Sequence, residues 1–340
     1  MKLFRYLTIV ALTLVMCTSC KSFQTLSRNK KVAQGRPYEL IVVATQPVWT
    51  GPLGDSLRNI LAAPIPYLPQ IEPEFDVLRT VPDGFKNIIA EHRNILKVLV
   101  DPAVKEAAVA VEYDLTAAPQ IVLTLQGPSE EALIAYLAEH GQKVVDVIKM
   151  AERDRAVEFA EKFGVEGIEK RIRELFGIEM SVPKGYNIAA ESEDFLWAHN
   201  EYPEASQGFV LYSYPYSGKA QLTPQALTEA RNRFVMRIPG PSDGSYMITA
   251  PIYEPDWRTI SLEGRTWIEM RGFWDVEGDF MGGPFVSYTT LDKANNRLVT
   301  LDCYVYAPKI PPHKRNLLHG LEHLLHTISF PADKATEGGE

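Results

Sequence analysis

The feature that most limits what this 340-residue chain can become is its first twenty residues. Lys2 and Arg5 precede a ten-residue run, Leu7–Met16, in which only Thr8 and Thr13 are polar. A helix needs roughly 20 apolar residues to cross a bilayer, so this run reads as an export signal rather than a span. Export leads to an oxidising space, where many small folds rely on disulfides. This body cannot form one. Cys17 falls inside the signal and Cys20 at its end, which leaves Cys303 without a partner. The fold must therefore rest on a buried apolar core, and a hydrophobic content of 46% is enough to build one.

Small residues, Thr18 and Ser19, stand before Cys20. The stretch Leu14-Val15-Met16-Cys17-Thr18-Ser19-Cys20 resembles the lipobox of bacterial lipoproteins, with Cys17 where leucine is usual. The resemblance implies a signal peptide of residues 1–19 and acylation of the Cys20 thiol, by diacylglyceryl and palmitate-type chains. Each buried CH₂ contributes about 0.8 kcal/mol, so two chains anchor stably where one is marginal. The alternative is an ordinary signal peptide and a soluble secreted chain. Residues 20–36 carry Lys21, Arg28, Lys30, Lys31 and Arg36 and read as a flexible tether, solvated or resting on anionic headgroups. A net charge of −8, with no basic block in the body, excludes nucleic acid as a partner.

Beyond the tether the patterning predicts an α+β fold, with mainly antiparallel sheets and packed helices. β-Rich runs at Glu39–Thr45, Phe75–Val81, Asn94–Val100 and Gln120–Gln126 read as strands, and Ala107–Tyr113 as strand or helix. Ser129 caps a helical pattern reaching about Lys162, with a break expected at Gly141, and Gly177 closes a second one from Val165. Later strands are expected at Glu179–Val182, Tyr186–Ala190, Phe195–His199, Phe209–Tyr214, Ser245–Thr249, Thr266–Trp274, Phe285–Leu291 and Leu298–Tyr306. Thr223-Pro224 opens a helix, and Pro311 or Pro312 opens the last one, through Ile328. The reading gives an N-terminal lobe with a helical connector at 37–180, a β-rich lobe at 181–331 and a disordered tail at 332–340. The element order suggests two similar β-α-β-β-β-α lobes.

Two stretches could carry chemistry. His319-Gly320-Leu321-Glu322-His323 has the spacing of a two-histidine zinc helix. Its histidines fall opposite the apolar stripe Leu317, Leu318, Leu321, Leu324, Leu325 and Ile328, so they are expected to face solvent, and His319 and His323 remain a secondary metal candidate. The other is Arg271–Phe285. Trp267, Glu269 and Arg271 alternate onto one strand face ahead of Asp279 and the Gly282-Gly283-Pro284 turn, a polar and aromatic surface for a ligand or partner. It lacks a phosphate-loop lysine and dinucleotide spacing, so no cofactor is expected. No catalytic residue is assigned. Cys303 shares a face with Val299, Leu301 and Val305 and should be a buried, inert thiol.

Ile238-Pro239-Gly240-Pro241, Ser245-Tyr246-Met247, Arg271-Gly272 with Trp274, the run Asp279–Phe285, Val305-Tyr306-Ala307-Pro308 and Lys314-Arg315-Asn316 with Leu321-Glu322 resemble an uncharacterised lipoprotein family of Bacteroidota, a domain of unknown function of the DUF4837 kind. The resemblance implies a Gram-negative envelope location and brings no known activity. Lys21-Ser22-Phe23 lacks the acidic residues that follow the lipidated cysteine in surface-exported members, which favours a position facing the periplasm. The expectation is a non-enzymatic binding or assembly module, held to the outer membrane by its lipid and contacting an envelope protein or glycan. The alternative is a periplasmic hydrolase of peptide or glycan.

Overall fold

The computed structural model describes residues 30–331 apart from 263 and 312. The signal, Cys20, residues 21–29 of the tether and the tail at 332–340 lie outside the described residues. Two compact units emerge. Among the described residues, one holds 30–63 together with 75–151, and the other holds 64–74 together with 152–331. The division falls inside a helix, between Ala151 and Glu152, and not at residue 180.

In the first unit a five-stranded sheet runs in the order β3 (Asp76–Thr80), β2 (Glu39–Val43), β4 (Asn94–Val100), β7 (Ile121–Gly127), β5 (Ala108–Tyr113). The first three pairings are parallel, and β5 closes the edge antiparallel. Parallel strands are covered on both faces and read as unbroken apolar runs, as Leu40-Ile41-Val42-Val43 does. Leu40, Val42, Leu96 and Leu123 pack against α1 (Gln46–Thr50), α2 (Pro52–Leu61) and α3 (Glu130–Lys162), while Ile41, Val43, Ile95 and Val122 meet Phe85 and Ile89. The break expected at Gly141 is absent, and α3 is continuous. A Cβ there would lie 2.6 Å from Ile60 Cδ1, so the glycine serves the close approach of α2. The tether reading also needs correction at its end. Lys31–Val32 (β1) pairs in parallel with Ala117–Ala118 (β6), and the Gln34 N–H and carbonyl bond Glu91 and Arg93.

The second unit is built on an antiparallel eight-stranded sheet. Its order is β11 (Tyr246–Thr249), β13 (Arg265–Glu277), β14 (Gly282–Asp292), β15 (Arg297–Tyr306), β10 (Ala205–Pro215), β9 (Phe195–Tyr202), β8 (Asn187–Ser192), with β12 (Asp256–Leu262) also on β13. On one face α4 (Glu166–Phe176) and α6 (Lys314–Glu322) bury Ile172, Phe176, Leu318 and Leu321 against Leu211, Val286 and Leu301. On the other, α5 (Pro224–Val235) buries Phe234 and Val235 against Tyr212, Met270, Trp274 and Phe285. Thr223 Oγ1 caps α5 by accepting from the Ala226 N–H. Beneath α5 sits a fully buried ion pair. Arg231 donates to both Asp302 oxygens at 2.7 and 3.2 Å and to Thr249 Oγ1 at 2.9 Å, and stacks 3.7 Å from the Phe285 ring centroid. Cys303 is fully buried, as expected, and burial pushes its thiol well above its usual range.

The two units are not copies. Their similar element order hides opposite pairing, parallel in one sheet and antiparallel in the other. Glu179–Val182 is not a ladder strand and makes only an isolated bridge, Glu179 to Ser329. Conversely, β12 was not evident in the sequence.

Candidate functional site

The site grows from the odd-numbered face of β13. Two-residue alternation sends Trp267, Glu269, Arg271, Phe273 and Asp275 to the side that carries α6. Sequence reasoning put these residues on one face correctly but expected it open, and α6 and the segment 64–74 cover most of it. Trp267 is buried, 2% exposed, with its ring centroid 6.2 Å from that of Phe330. It is core, not surface. Glu269 is likewise buried, 3% exposed. Its Oε1 accepts from Arg271 Nε at 2.7 Å and Arg258 Nε at 2.8 Å. Arg271 also donates to Glu322 of α6 and, at 3.4 Å, to the Tyr288 hydroxyl. Burial by itself would raise the Glu269 carboxyl, but Arg271 and then Arg258 outweigh it and hold the group below its ordinary range.

Glu322 joins this pair to the histidine motif. Its Oε2 lies 2.6 Å from His319 Nδ1. An ionised Glu322 cannot donate, so Nδ1 carries the proton and the imidazole is fixed by its helix neighbour. The other ring nitrogen lies 3.7 Å from Glu74 Oε1. His319 is therefore buried, 5% exposed, against the expectation that the histidines face solvent. The physical reason is that the segment 64–74 covers the helix side opposite the apolar stripe. It packs there through polar contacts that a helical wheel cannot foresee. Glu72 accepts the Lys314 and Arg315 backbone N–H groups at 3.0 and 3.1 Å, capping α6 from a distant part of the chain. Arg315 Nη1 donates to the Pro73 carbonyl at 2.7 Å.

The His319 and His323 rings stack with centroids 6.5 Å apart. Among the described residues no three His, Cys, Asp or Glu side chains converge as a metal site. Burial, then the charges of His319, His326 and Arg153, lower His323 to about 3, with Glu322 opposing. Its unfolded value is 6.5, so between those two pH values the unfolded state binds more protons. Stability is full above pH 6.5 and declines as pH falls toward 3. His323→Gln is expected to remove this part of the acid sensitivity. Urea midpoints measured from pH 7 to 4 check it, and identical slopes for the two proteins would rule it out.

The remaining expected residues lie at the other end of β13. Asp279 sits in the hairpin turn, where it accepts from the Ser242 hydroxyl and from the Phe280 N–H at 2.5 Å. Gly283 is forced by packing, since a Cβ there would lie 2.1 Å from the Val305 carbonyl oxygen. Gly282 lines a shallow cleft of about 370 Å³ with Pro69 and Gln70, Asp275, Phe280 and Met281, Tyr306–Pro308 and Lys314. The structure thus brings Glu269 and Arg271 together with His319, and leaves Asp279 in the hairpin turn and Gly282 at the cleft, apart from them. Sequence reasoning missed Glu322 as the link, and also Glu72, Glu74 and Tyr67. The only signal was the polar spacing of Glu72 and Glu74 among prolines.

Residues 166–327 match the family described as Domain of unknown function (DUF4837). Residues 166–327 are thus similar to that domain. That domain runs from α4 to the turn after α6 and supplies β13, the hairpin and the histidines. Residues 33–161 match a second domain of unknown function (DUF8532), which contains the covering residues Tyr67, Glu72 and Glu74. Among solved structures, similarity is found to the Ran-binding protein Mog1p of Saccharomyces cerevisiae, at 11% identity over 46% of this chain and 92% of that one, with a TM-score of 0.31. Similarity is also found to LpqN, involved in cell envelope biogenesis of Mycobacterium tuberculosis, at 12% identity over 45% of this chain and 82% of that one, with a TM-score of 0.28. Comparison with curated proteins gives no match. Among the described residues, no helix is long and apolar enough to cross a membrane.

Proposed function

We propose that this protein is a lipid-anchored envelope module, held by acyl chains on Cys20 and facing the periplasm, whose second unit binds an envelope protein or glycan. The observation that carries the binding role is how the charged cluster is used. Arg271 is shared between Glu269 and Glu322, and Glu322 also holds His319. These groups tie α6 and the segment 64–74 to the sheet, which leaves the cleft beside Gly282 as the part of this face open to a partner. The anchor rests on the sequence pattern ending at Cys20. Mass spectrometry of the processed protein from envelopes is expected to find Cys20 as the first residue, heavier by a diacylglyceryl group. An unacylated start at another residue would remove the anchoring half of the proposal.

A further inference from the structure

The cleft is bordered by aromatic side chains that the fold leaves open. Phe280 is 102% exposed at its rim, and Ile252 and Tyr253 are 77% and 52% exposed nearby. Tyr253 packs on Phe273 with ring centroids 5.1 Å apart, and Phe273 on Tyr67 at 6.1 Å. The three tilted rings form a ladder along the sheet face, and Pro69, two residues after Tyr67, lines the cleft. An apolar groove of this kind needs a reason to prefer one occupant, and the charges around it supply one. Asp275 lines the cleft and Asp256 acts on Tyr67 of the ladder, while Glu254, Glu277 and Asp279 are chain neighbours of Tyr253, Val276 and Phe280. Among the described residues none of the five forms an ion pair, whereas deeper on the same face Glu269 and Glu322 are both neutralised. Asp256 stands close enough to Tyr67 to help raise its hydroxyl, after burial. Lys314, the one cation lining the cleft among the described residues, is 2% exposed, bonded at 3.4 Å to the Lys309 carbonyl and opposed by the nearby charge of Glu72, which limits its effect on the rim.

We propose that this end of the sheet docks an extended segment of a partner protein carrying arginine or lysine beside an apolar side chain. The cation lies over the Tyr253–Phe273–Tyr67 ladder near Asp256 and Asp275, where ring faces and carboxylates attract it together. The apolar side chain enters the cleft against Phe280 and Met281. Anionic lipid and nucleic acid are repelled by the same carboxylates. The inference rests on the binding role proposed above and adds the chemistry of the partner.

The test is calorimetric titration of the full processed chain in detergent with acetyl-Arg-Leu-Arg-Leu-Arg-amide and with its citrulline analogue, which keeps the shape and loses the charge. The arginine peptide is expected to bind at least about tenfold more tightly than the analogue. Asp256→Asn with Asp275→Asn, and separately Tyr253→Ala, are each expected to weaken it about tenfold. Asp83→Asn with Glu106→Gln, the same charge change on exposed side chains of the first unit, should leave the affinity unchanged. Absence of binding, equal binding of the citrulline analogue, an affinity indifferent to the site variants, or an equal loss in the control pair would each overturn the proposal. Such a failure with Cys20 still acylated refutes the partner chemistry and leaves the anchored module standing.

Discussion

Replacing Arg271 with methionine is expected to destabilise the second unit by about 3 kcal/mol at neutral pH, because it leaves two nearly buried carboxylates facing each other. Glu269 and Glu322 side chains are 4% and 12% exposed, and both lean on the Arg271 guanidinium. Arg258 stays on Glu269 but is 66% exposed, so it compensates only in part. The pH dependence identifies the cause. In the wild type the Glu269 carboxyl lies below its ordinary 4.5, so its contribution is full above that value and is lost as pH falls through the lowered one. In Arg271→Met the carboxylates gain by taking up protons, so the gap between variant and wild type should narrow toward pH 4.5. A triple variant, E269Q/R271M/E322Q, removes every charge and should recover most of the loss. Urea denaturation at pH 7 and pH 4.5 measures all three proteins. A midpoint for Arg271→Met within error of the wild type would show that the cluster does not hold the fold. It would then be free to serve a ligand, and the proposed binding role would lose its supporting observation.

The second large effect lies on the opposite face. Asp302→Ala should cost about 3–5 kcal/mol, since it strands the Arg231 guanidinium, fully buried, without its counter-charge. Both side chains are fully buried. Burial pushes the Asp302 carboxyl up, and Arg231 pulls it back only in part. Taking two ions out of water costs nearly what their attraction returns, so the pair as a whole is expected to add little. The double variant Arg231→Met with Asp302→Leu should therefore stay within about 1–2 kcal/mol of the wild type. Thermal unfolding of the single and double variants decides it. A double variant as unstable as the single one would show that the pair itself, and not the stranded charge, carries the energy.

Much of the fold was legible because period and punctuation are local signals. The strand Leu40–Val43, the helix opened by Thr223-Pro224 and the burial of the Cys303 thiol follow from side-chain spacing, a cap and alternation, none of which needs a distant residue. The grouping of Glu269 with Arg271 on one face of β13 was readable for the same reason. Whether that face was open was not. Trp267 turned inward because Phe330 comes to meet it, and His319 turned inward because Glu74 reaches it from some 245 positions earlier in the chain.

By itself, the sequence determined an α+β body, the face of β13 on which Glu269 and Arg271 stand, and the burial of Cys303. Tertiary structure alone decided that one sheet pairs parallel and the other antiparallel, that Glu72 caps α6, and that Arg271, Glu322 and His319 form one cluster. Periodicity reports the side to which a side chain points, because backbone geometry fixes that residue by residue. It carries no information on what packs against that side, which depends on contacts between segments far apart in the chain.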